Sequence, residues 1–356
     1  MLVDRFAFII HPLGFEDLAL KFPILRRLPT FVSKLGLKLY GATKVSDIRG
    51  IRSKTGKELE GLFIACPLTS EMLIHGDAKR NIDTIVKCGR IAEAEGAKIV
   101  GLGAFTSVVG DAGVTIADRL DIAVTTGNTY TVATALEGAL KACRLLGKEP
   151  SSVPAAVIGA GGSIGAAIAK LLAPDVGRLT LIDLDPARIE QVAGEIQCGT
   201  PIDLSTDVNA ALPEVDLVVT VTSAVSAIVQ PHHLKRGAVV CDVARPRDVS
   251  AQVAKERPDV LVIEGGVVRV PGDVDFGLNF GFPPKTAYAC MSETMILALE
   301  GRFEDYTLGR TLSLDKVREI RELAAKHGFE LAGFRSFERA VDEATIERVR
   351  QLSQAG

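Results

Sequence analysis

No Cys-x-x-Cys pair and no Cys/His cluster at zinc spacing occurs in the chain, so no metal site is expected. No apolar run reaches about 18 uncharged residues, so no membrane span is expected either. The start, from Met1 to Pro12, lacks the basic lead and small-residue cleavage site of a signal peptide. A formal net charge of −3 supplies no broad positive field, which excludes nucleic acid as the expected partner. Internal repeats and low-complexity segments are absent. What remains is the composition of a soluble enzyme, 47% hydrophobic and 24% charged. Six scattered cysteines (Cys66, Cys88, Cys143, Cys198, Cys241 and Cys290), several within apolar stretches, suit reduced thiols of a cytoplasmic protein. At 356 residues the chain is long for one core, and two domains are expected.

The chain is organised around Pro154 to Gly165, P-A-A-V-I-G-A-G-G-S-I-G. An apolar run breaks into glycines and continues into the Ala/Ile/Leu-rich segment Ala166 to Leu172. This is strand, tight turn and helix, the phosphate-gripping unit of a dinucleotide-binding fold. Glycines let the backbone approach a pyrophosphate, and the helix N-terminus offers N–H groups and a positive dipole end. Gly159, Gly161, Gly162, Ser163, Ile164 and Gly165 are the expected contacts, although the spacing is GxGxxxG rather than strict GxGxxG.

Strand and helix alternate after this unit: strands at 179–182, 216–221, 237–241 and 260–263, helices at 186–196 and 208–212. That order predicts an α/β, Rossmann-type doubly wound parallel sheet. Upstream, strands are expected at 6–10, 61–66 and 98–102, a helix at 71–96, and a turn at Ser53 to Lys57. A strand-to-turn at 123–129 leads into a connector helix that stops at Gly147. Pro283–Pro284 is expected to open a helix through Leu299, with the remainder helical. The implied organisation is a discontinuous α/β substrate domain. Residues 1–127 form its N-terminal part, a connector helix (128–149) leads to a separate dinucleotide domain (150–280), and C-terminal helices (281–356) carrying Cys290 return to the substrate domain.

At the tip of the second strand of the dinucleotide unit stands Asp183, followed by Leu184. A carboxylate there accepts hydrogen bonds from both ribose hydroxyls and repels a 2′-phosphate, which favours NADH over NADPH; Arg188 is the residue that could still meet a phosphate. Thr222 and Ser223, and Gly266 and Val267, follow later strands and are expected to flank the nicotinamide. The five histidines, His11, His75, His232, His233 and His327, are acid/base candidates without a recognisable motif; His232 and His233 read as a surface turn. Cys290 stands early in the late helix with Lys285 five residues before it, and a thiol near a helix N-terminus and a cation is a usable nucleophile. A small packed residue is the alternative for that position. Thr106 and Ser107, with Thr126 and Asn128, offer hydroxyls, an amide and backbone N–H groups that could stabilise an oxyanion, hold nicotinamide or cap the connector helix. Residues 20–44 carry six Lys/Arg interleaved with apolar residues. Such a segment suits an acidic partner, a membrane surface, or a packed helix with a solvated basic face.

Several stretches together resemble the cyanobacterial long-chain fatty acyl-[acyl-carrier-protein] reductases, which form aldehydes. They are F-A-F-I-I-H (6–11), S-K-T-G-K-E-L-E-G (53–61), G-A-F-T-S (103–107), T-T-G-N-T (125–129), G-A-G-G-S-I-G (159–165) and E-G-G-V-V (264–268). A-C (289–290), E-G (300–301), G-R (309–310) and K-H-G-F (326–329) follow in order. The resemblance implies a thioester reductase in which Cys290 forms an acyl-enzyme and NAD(P)H supplies hydride. It also implies an acyl carrier protein or coenzyme A thioester as partner. Three features depart from the family: Asp183–Leu184 in place of a pair suited to NADPH, the basic 20–44 segment, and the residues beyond about Phe334. The competing reading is a shikimate dehydrogenase-like enzyme of a small hydroxy or amino acid, without covalent catalysis and with Lys285 as acid/base. A non-catalytic nucleotide sensor is a third class.

Overall fold

The computed structural model describes residues 3–12, 41–279 and 281–354. Most of the basic 20–44 segment, including Arg26, Arg27, Lys34 and Lys38, lies outside the described residues. The chain divides into two compact units. One comprises 1–128, 269–311 and 319–330, the other 129–268, 312–318 and 331–356.

The first unit begins with β1 (Asp4–Ile10), β2 (Thr43–Arg52) and β3 (Glu58–Ala65), then helix α1 (Ala78–Ala94), β4 (Ile99–Leu102) and β5 (Ala123–Thr125). β1 is central because it is apolar on both faces: Phe6, Ala7, Phe8 and Ile9 are each at most 1% exposed, the pattern of a parallel strand covered on both sides. It pairs in parallel with β3 and β4, and β4 with β5. The expected 71–96 helix is two helices, Ser70–His75 and α1, because Gly76 ends the first and Asp77 caps the second through Arg80 N–H. β2 was not legible in the sequence; its alternation is irregular, with register shifts against β3.

The second unit opens with α2 (Asn128–Leu145), then β6 (Pro154–Ile158), α3 (Ser163–Leu172), β7 (Arg178–Ile182), α4 (Pro186–Glu195) and β8 (Ile202–Ser205). β9 (Leu217–Thr220), β10 (Val239–Asp242) and β11 (Leu261–Glu264) follow. All neighbours are parallel, in the order β11-β10-β9-β6-β7-β8. Chain order reverses between β6 and β9, the doubly wound arrangement whose ligands bind beyond the carboxyl ends of the strands at that reversal. β8 escaped the sequence reading because its residues are only partly buried or exposed, leaving no apolar run.

The chain then re-enters the first unit. β12 (Gly272–Asp275) pairs antiparallel with β2 and completes the sheet β12-β2-β3-β1-β4-β5. Helix α5 (Ala289–Glu300) packs across β1, β3 and β4. It starts five residues later than the Pro283–Pro284 signal suggested: Lys285 has φ +61 and Thr286–Tyr288 are extended, so the prolines open a turn rather than a helix. The C-terminal stretch also differs from expectation. Residues 331–356 belong to the second unit, as does the connector helix from Thr129 on. Phe334–Ser336 and Arg339–Val341 form an antiparallel hairpin before the last helix, Glu343–Gln354.

Candidate active site and dinucleotide site

In the second unit, the glycine turn has the geometry a dinucleotide requires. Gly159 sits at φ +82, and a Cβ on Gly165 would lie 2.0 Å from the Gly159 carbonyl oxygen, so neither position accepts a side chain. Gly162 caps α3 without a side-chain hydrogen bond, and the first turn holds no acidic residue. The N–H groups of Ser163 and Ile164, on partly exposed residues, therefore open toward the turn, an anion site by construction. Asp183, at the tip of β7, accepts from Gly161 N–H at 2.9 Å through Oδ2 and from Asp185 N–H at 3.2 Å through Oδ1. Its carboxylate is held against the turn where an adenosine ribose would lie. Leu184 is 91% exposed, and Arg188 pairs with Asp185 at 3.3 Å. These residues fit a dinucleotide.

Thr222 is arranged differently from the expectation. Its hydroxyl donates to Asp248 Oδ1 at 2.6 Å and its N–H to Oδ2 at 2.9 Å, so the side chain is committed to the protein. Ser223 is exposed, and Gly266 (φ +82) and Val267 are buried. Two further carboxyls at this edge escaped the sequence reading. Burial pushes the Asp242 carboxyl up to about 6, against the Arg245 guanidinium and the N–H groups of Val249 and Asp248. At Glu264 burial also opposes ionisation, but the Glu338 N–H and the guanidiniums of Arg245 and Arg247 hold it below the usual carboxylate range. His233 is buried, accepting Gln230 N–H on Nδ1 at 3.1 Å, rather than lying on a surface turn; His232 is exposed.

In the first unit, α5 is buried along its whole length except at Cys290 and Glu300. Cys290 is the second residue of the helix, partly exposed, and no acidic side chain occupies the first turn. Four other thiols are buried, and burial pushes Cys143 and Cys241 up to about 12. Gly127, at φ +76, brings the T-T-G-N-T turn directly against Cys290: a Cβ there would meet Cys290 Cα and Cβ at 2.3 Å. Below this contact lies a buried polar network. Glu293, one turn after Cys290 and 0% exposed, accepts from Thr125 Oγ1 (2.5 Å) and Thr307 Oγ1 (2.9 Å). Thr307 N–H donates to Thr125 Oγ1 at 3.3 Å, and Thr126 N–H to Thr307 carbonyl at 3.0 Å. The turn and the helix are thus tied together through Glu293, a residue the sequence reading missed because it sits in an apolar helix with no motif of its own.

The other expected site residues divide. Thr126 is 1% exposed and its hydroxyl finds no partner among the described residues, an arrangement that costs about 1–3 kcal/mol unless a ligand supplies one. Asn128 is partly exposed at the start of α2. Thr106 and Ser107 are buried and donate instead to the Gly103 and Ala104 carbonyls, at 2.7 and 2.6 Å. Ala104 lies at φ +47, strain of the kind that collects at functional loops. This loop is held by His11, whose Nε2 accepts Phe105 N–H at 3.1 Å while Nδ1 lies 3.0 Å from the Pro12 carbonyl. A backbone N–H only donates and a carbonyl only accepts, so both contacts require the neutral Nδ1–H tautomer. Lys285 does not serve Cys290; its ammonium pairs with Asp273 at 2.6 Å on an exposed surface. His75 is exposed at a helix end. His327 is fully buried, with Nδ1 2.8 Å from Ser53 Oγ and Nε2 2.8 Å from Glu300 Oε2. That joins the S-K-T-G-K, E-G and K-H-G-F stretches at the far end of α5 from Cys290, where they anchor the helix. Among the described residues no His/Cys/Asp/Glu group could hold a metal ion, and no helix is long and apolar enough to cross a membrane.

Comparison with known proteins gives a shikimate/quinate 5-dehydrogenase family model over residues 143–264. The aminotransferase PigE of Serratia sp. is 33% identical over 85% of this chain, which spans only 36% of that protein's length. The long-chain acyl-[acyl-carrier-protein] reductase of Synechococcus elongatus is 28% identical over 83% of this chain and 90% of its own. Among solved structures, L-tryptophan dehydrogenase from Nostoc punctiforme aligns over 99% of this chain and 88% of its own, at 16% identity and a TM-score of 0.41. The matched dehydrogenase model, the strand order and the glycine turn make the second unit an NAD(P)-binding domain of the oxidoreductase type.

Proposed function

We propose that the chain is an NAD(P)H-dependent acyl-thioester reductase that releases a fatty aldehyde through a Cys290 acyl-enzyme. The observation that carries the proposal is the setting of Cys290: partly exposed at the N-terminal turn of an otherwise buried helix, with the T-T-G-N-T turn against its backbone. A helix N-terminus with no acidic side chain in its first turn favours negative charge on the sulfur. The relative spanned over 90% of its length is an acyl-[acyl-carrier-protein] reductase. Only 36% of the aminotransferase is spanned, so the activity in its name has less claim here.

In the first step Cys290 Sγ, as thiolate, bonds to the thioester carbonyl carbon, the carbon–sulfur bond to the carrier breaks, and the carrier thiolate leaves to take up a proton. When bound, the dinucleotide supplies the hydride that reduces the enzyme thioester. Collapse of the resulting hemithioacetal frees the aldehyde and returns Cys290. An oxyanion forms in each step, and the orphaned Thr126 hydroxyl is the donor we assign to it. The covalent step separates release of a bulky carrier from reduction, converting one crowded encounter into two ordered ones. Asp183 makes NADH the dinucleotide we expect, because it would repel a 2′-phosphate. The basic 20–44 segment would steer an acidic carrier protein or the phosphates of coenzyme A. Neutralising Arg26, Arg27, Lys34 and Lys38 together should raise KM for the carrier and flatten its salt dependence.

In the shikimate dehydrogenase-like alternative Lys285 is the acid/base candidate, and its ammonium is paired with Asp273 on the surface. The test is aldehyde formation from an acyl-CoA with NADH or NADPH. Cys290→Ala should abolish it while dinucleotide affinity stays unchanged; aldehyde formation that survives the substitution removes the covalent route.

A further inference from the structure

We propose that the C-terminal hairpin, Phe334–Val341, is a positioning element for the nicotinamide half of the dinucleotide, acting through Glu264 and the loop after β10. The hairpin tip carries two non-glycine residues in the left-handed region, Phe337 at φ +47 and Glu338 at φ +67. Asn or Gly is usual in such turns. The strain has a visible use. It aims the Glu338 N–H at Glu264 Oε1, 2.7 Å away, and Arg335 closes the tip by donating to the Glu338 carbonyl at 2.7 Å.

Glu264 ends β11 and is nearly buried. It also receives Arg245 (3.3 Å) and Arg247 (3.2 Å), both from the loop after β10. Arg247 is held a second and third time by the hairpin, through the Glu338 carboxylate at 3.1 Å and the Phe337 ring at 5.7 Å. The next residue, Asp248, is fully buried and accepts Thr220 Oγ1, Thr222 Oγ1 and Thr222 N–H at 2.6, 2.6 and 2.9 Å. The hairpin tip is thereby linked without a gap to the segment after β9.

Strand order says what that segment meets. Asp183 is at the tip of β7, the glycine turn at the tip of β6 and Thr222 just beyond β9, in that spatial order. Thr222 also abuts the turn, since a Cβ on Gly159 would lie 3.2 Å from its Cγ2. A dinucleotide with its adenosine ribose at Asp183 and its pyrophosphate at the turn has its other nucleoside at Thr222.

The inference rests on the dinucleotide reading of the second unit, and the test separates the two. Affinities of NADH and of ADP-ribose, which lacks the nicotinamide, are measured for wild type, Phe337→Ala, Glu338→Ala and Phe337→Tyr. Phe337→Ala should weaken NADH roughly tenfold, about the loss of one partly desolvated cation–π contact to Arg247, and leave ADP-ribose binding intact. Glu338→Ala, an exposed side chain whose removal spares the fold, should act in the same direction. Phe337→Tyr, which keeps the ring beside Arg247, should restore wild-type affinity. Equal weakening of both ligands, or unchanged NADH affinity in both alanine variants, overturns the proposal. Failure of wild type to bind ADP-ribose overturns the dinucleotide reading with it.

Discussion

Replacing Gly127 by alanine tests the seating of the nucleophile helix, and Gly301→Ala supplies the control. Both glycines have positive φ, +76 and +80, and they lie at opposite ends of the same helix, one against Cys290 and the other at its C-cap. An alanine forced into the left-handed region costs about 1–2 kcal/mol, and both variants incur it. At position 127 the new methyl also strikes something: it would lie 2.3 Å from Cys290 Cα and Cβ and 2.8 Å from its carbonyl oxygen, whereas at 301 nothing among the described residues lies within 4 Å. Overpacking of that kind costs about 1–3 kcal/mol. Gly127→Ala should therefore lose about 2–5 kcal/mol and Gly301→Ala about 1–2 kcal/mol. Urea denaturation followed by circular dichroism measures both, and the rate of Cys290 alkylation by iodoacetamide should change only in Gly127→Ala. Equal losses in the two variants would refute the contact between the turn and the helix.

Three further expectations follow from the same geometry. Because Phe105 N–H needs an acceptor on His11, His11→Gln, whose side-chain oxygen can accept, should keep most of the activity, while His11→Ala orphans the amide at about 1–3 kcal/mol; glutamine as damaging as alanine would instead indicate proton transfer by the imidazole. Asp242 has a folded-state pKa of about 6, above the usual 3.8. Its contribution is complete below the usual carboxylate range and is lost as pH rises through 6, so wild type should fall relative to Asp242→Asn by roughly 2 kcal/mol between pH 4 and 7; a flat or rising difference would contradict this. Asp183→Ala should weaken NADH and narrow its advantage over NADPH in equilibrium binding, and an unchanged ratio would remove Asp183 from the ribose site.

How much was legible from sequence differs between the units. The dinucleotide unit could be read almost strand by strand, because buried parallel strands are short apolar runs and the glycine turn has few conformations. Its one missed strand, β8, is an edge strand of partly buried and exposed residues, and that half-burial erases the run. Cys290 was legible as a candidate because a thiol near a helix start is a chemical signal. The helix boundary was misplaced because two prolines imitate a helix start, and Lys285 was assigned by sequence distance although its side chain turns to Asp273. Glu293 and the Glu264–Arg247–Glu338 network could not be read at all. Each is built from residues far apart in the chain, and pairing across such separations leaves no local pattern. The hairpin was read as helix because Ser336–Arg339 has no Gly or Asn to mark the turn.

The central claim concerns a bond to sulfur, and intact-protein mass spectrometry reads it directly. Wild-type protein mixed with a long-chain acyl-CoA, with no nicotinamide present, should gain one acyl mass that maps to the peptide holding Cys290 and disappears when NADH or NADPH is added. Absence of any acyl adduct on that peptide, from a preparation that does form aldehyde when the dinucleotide is supplied, would contradict the account.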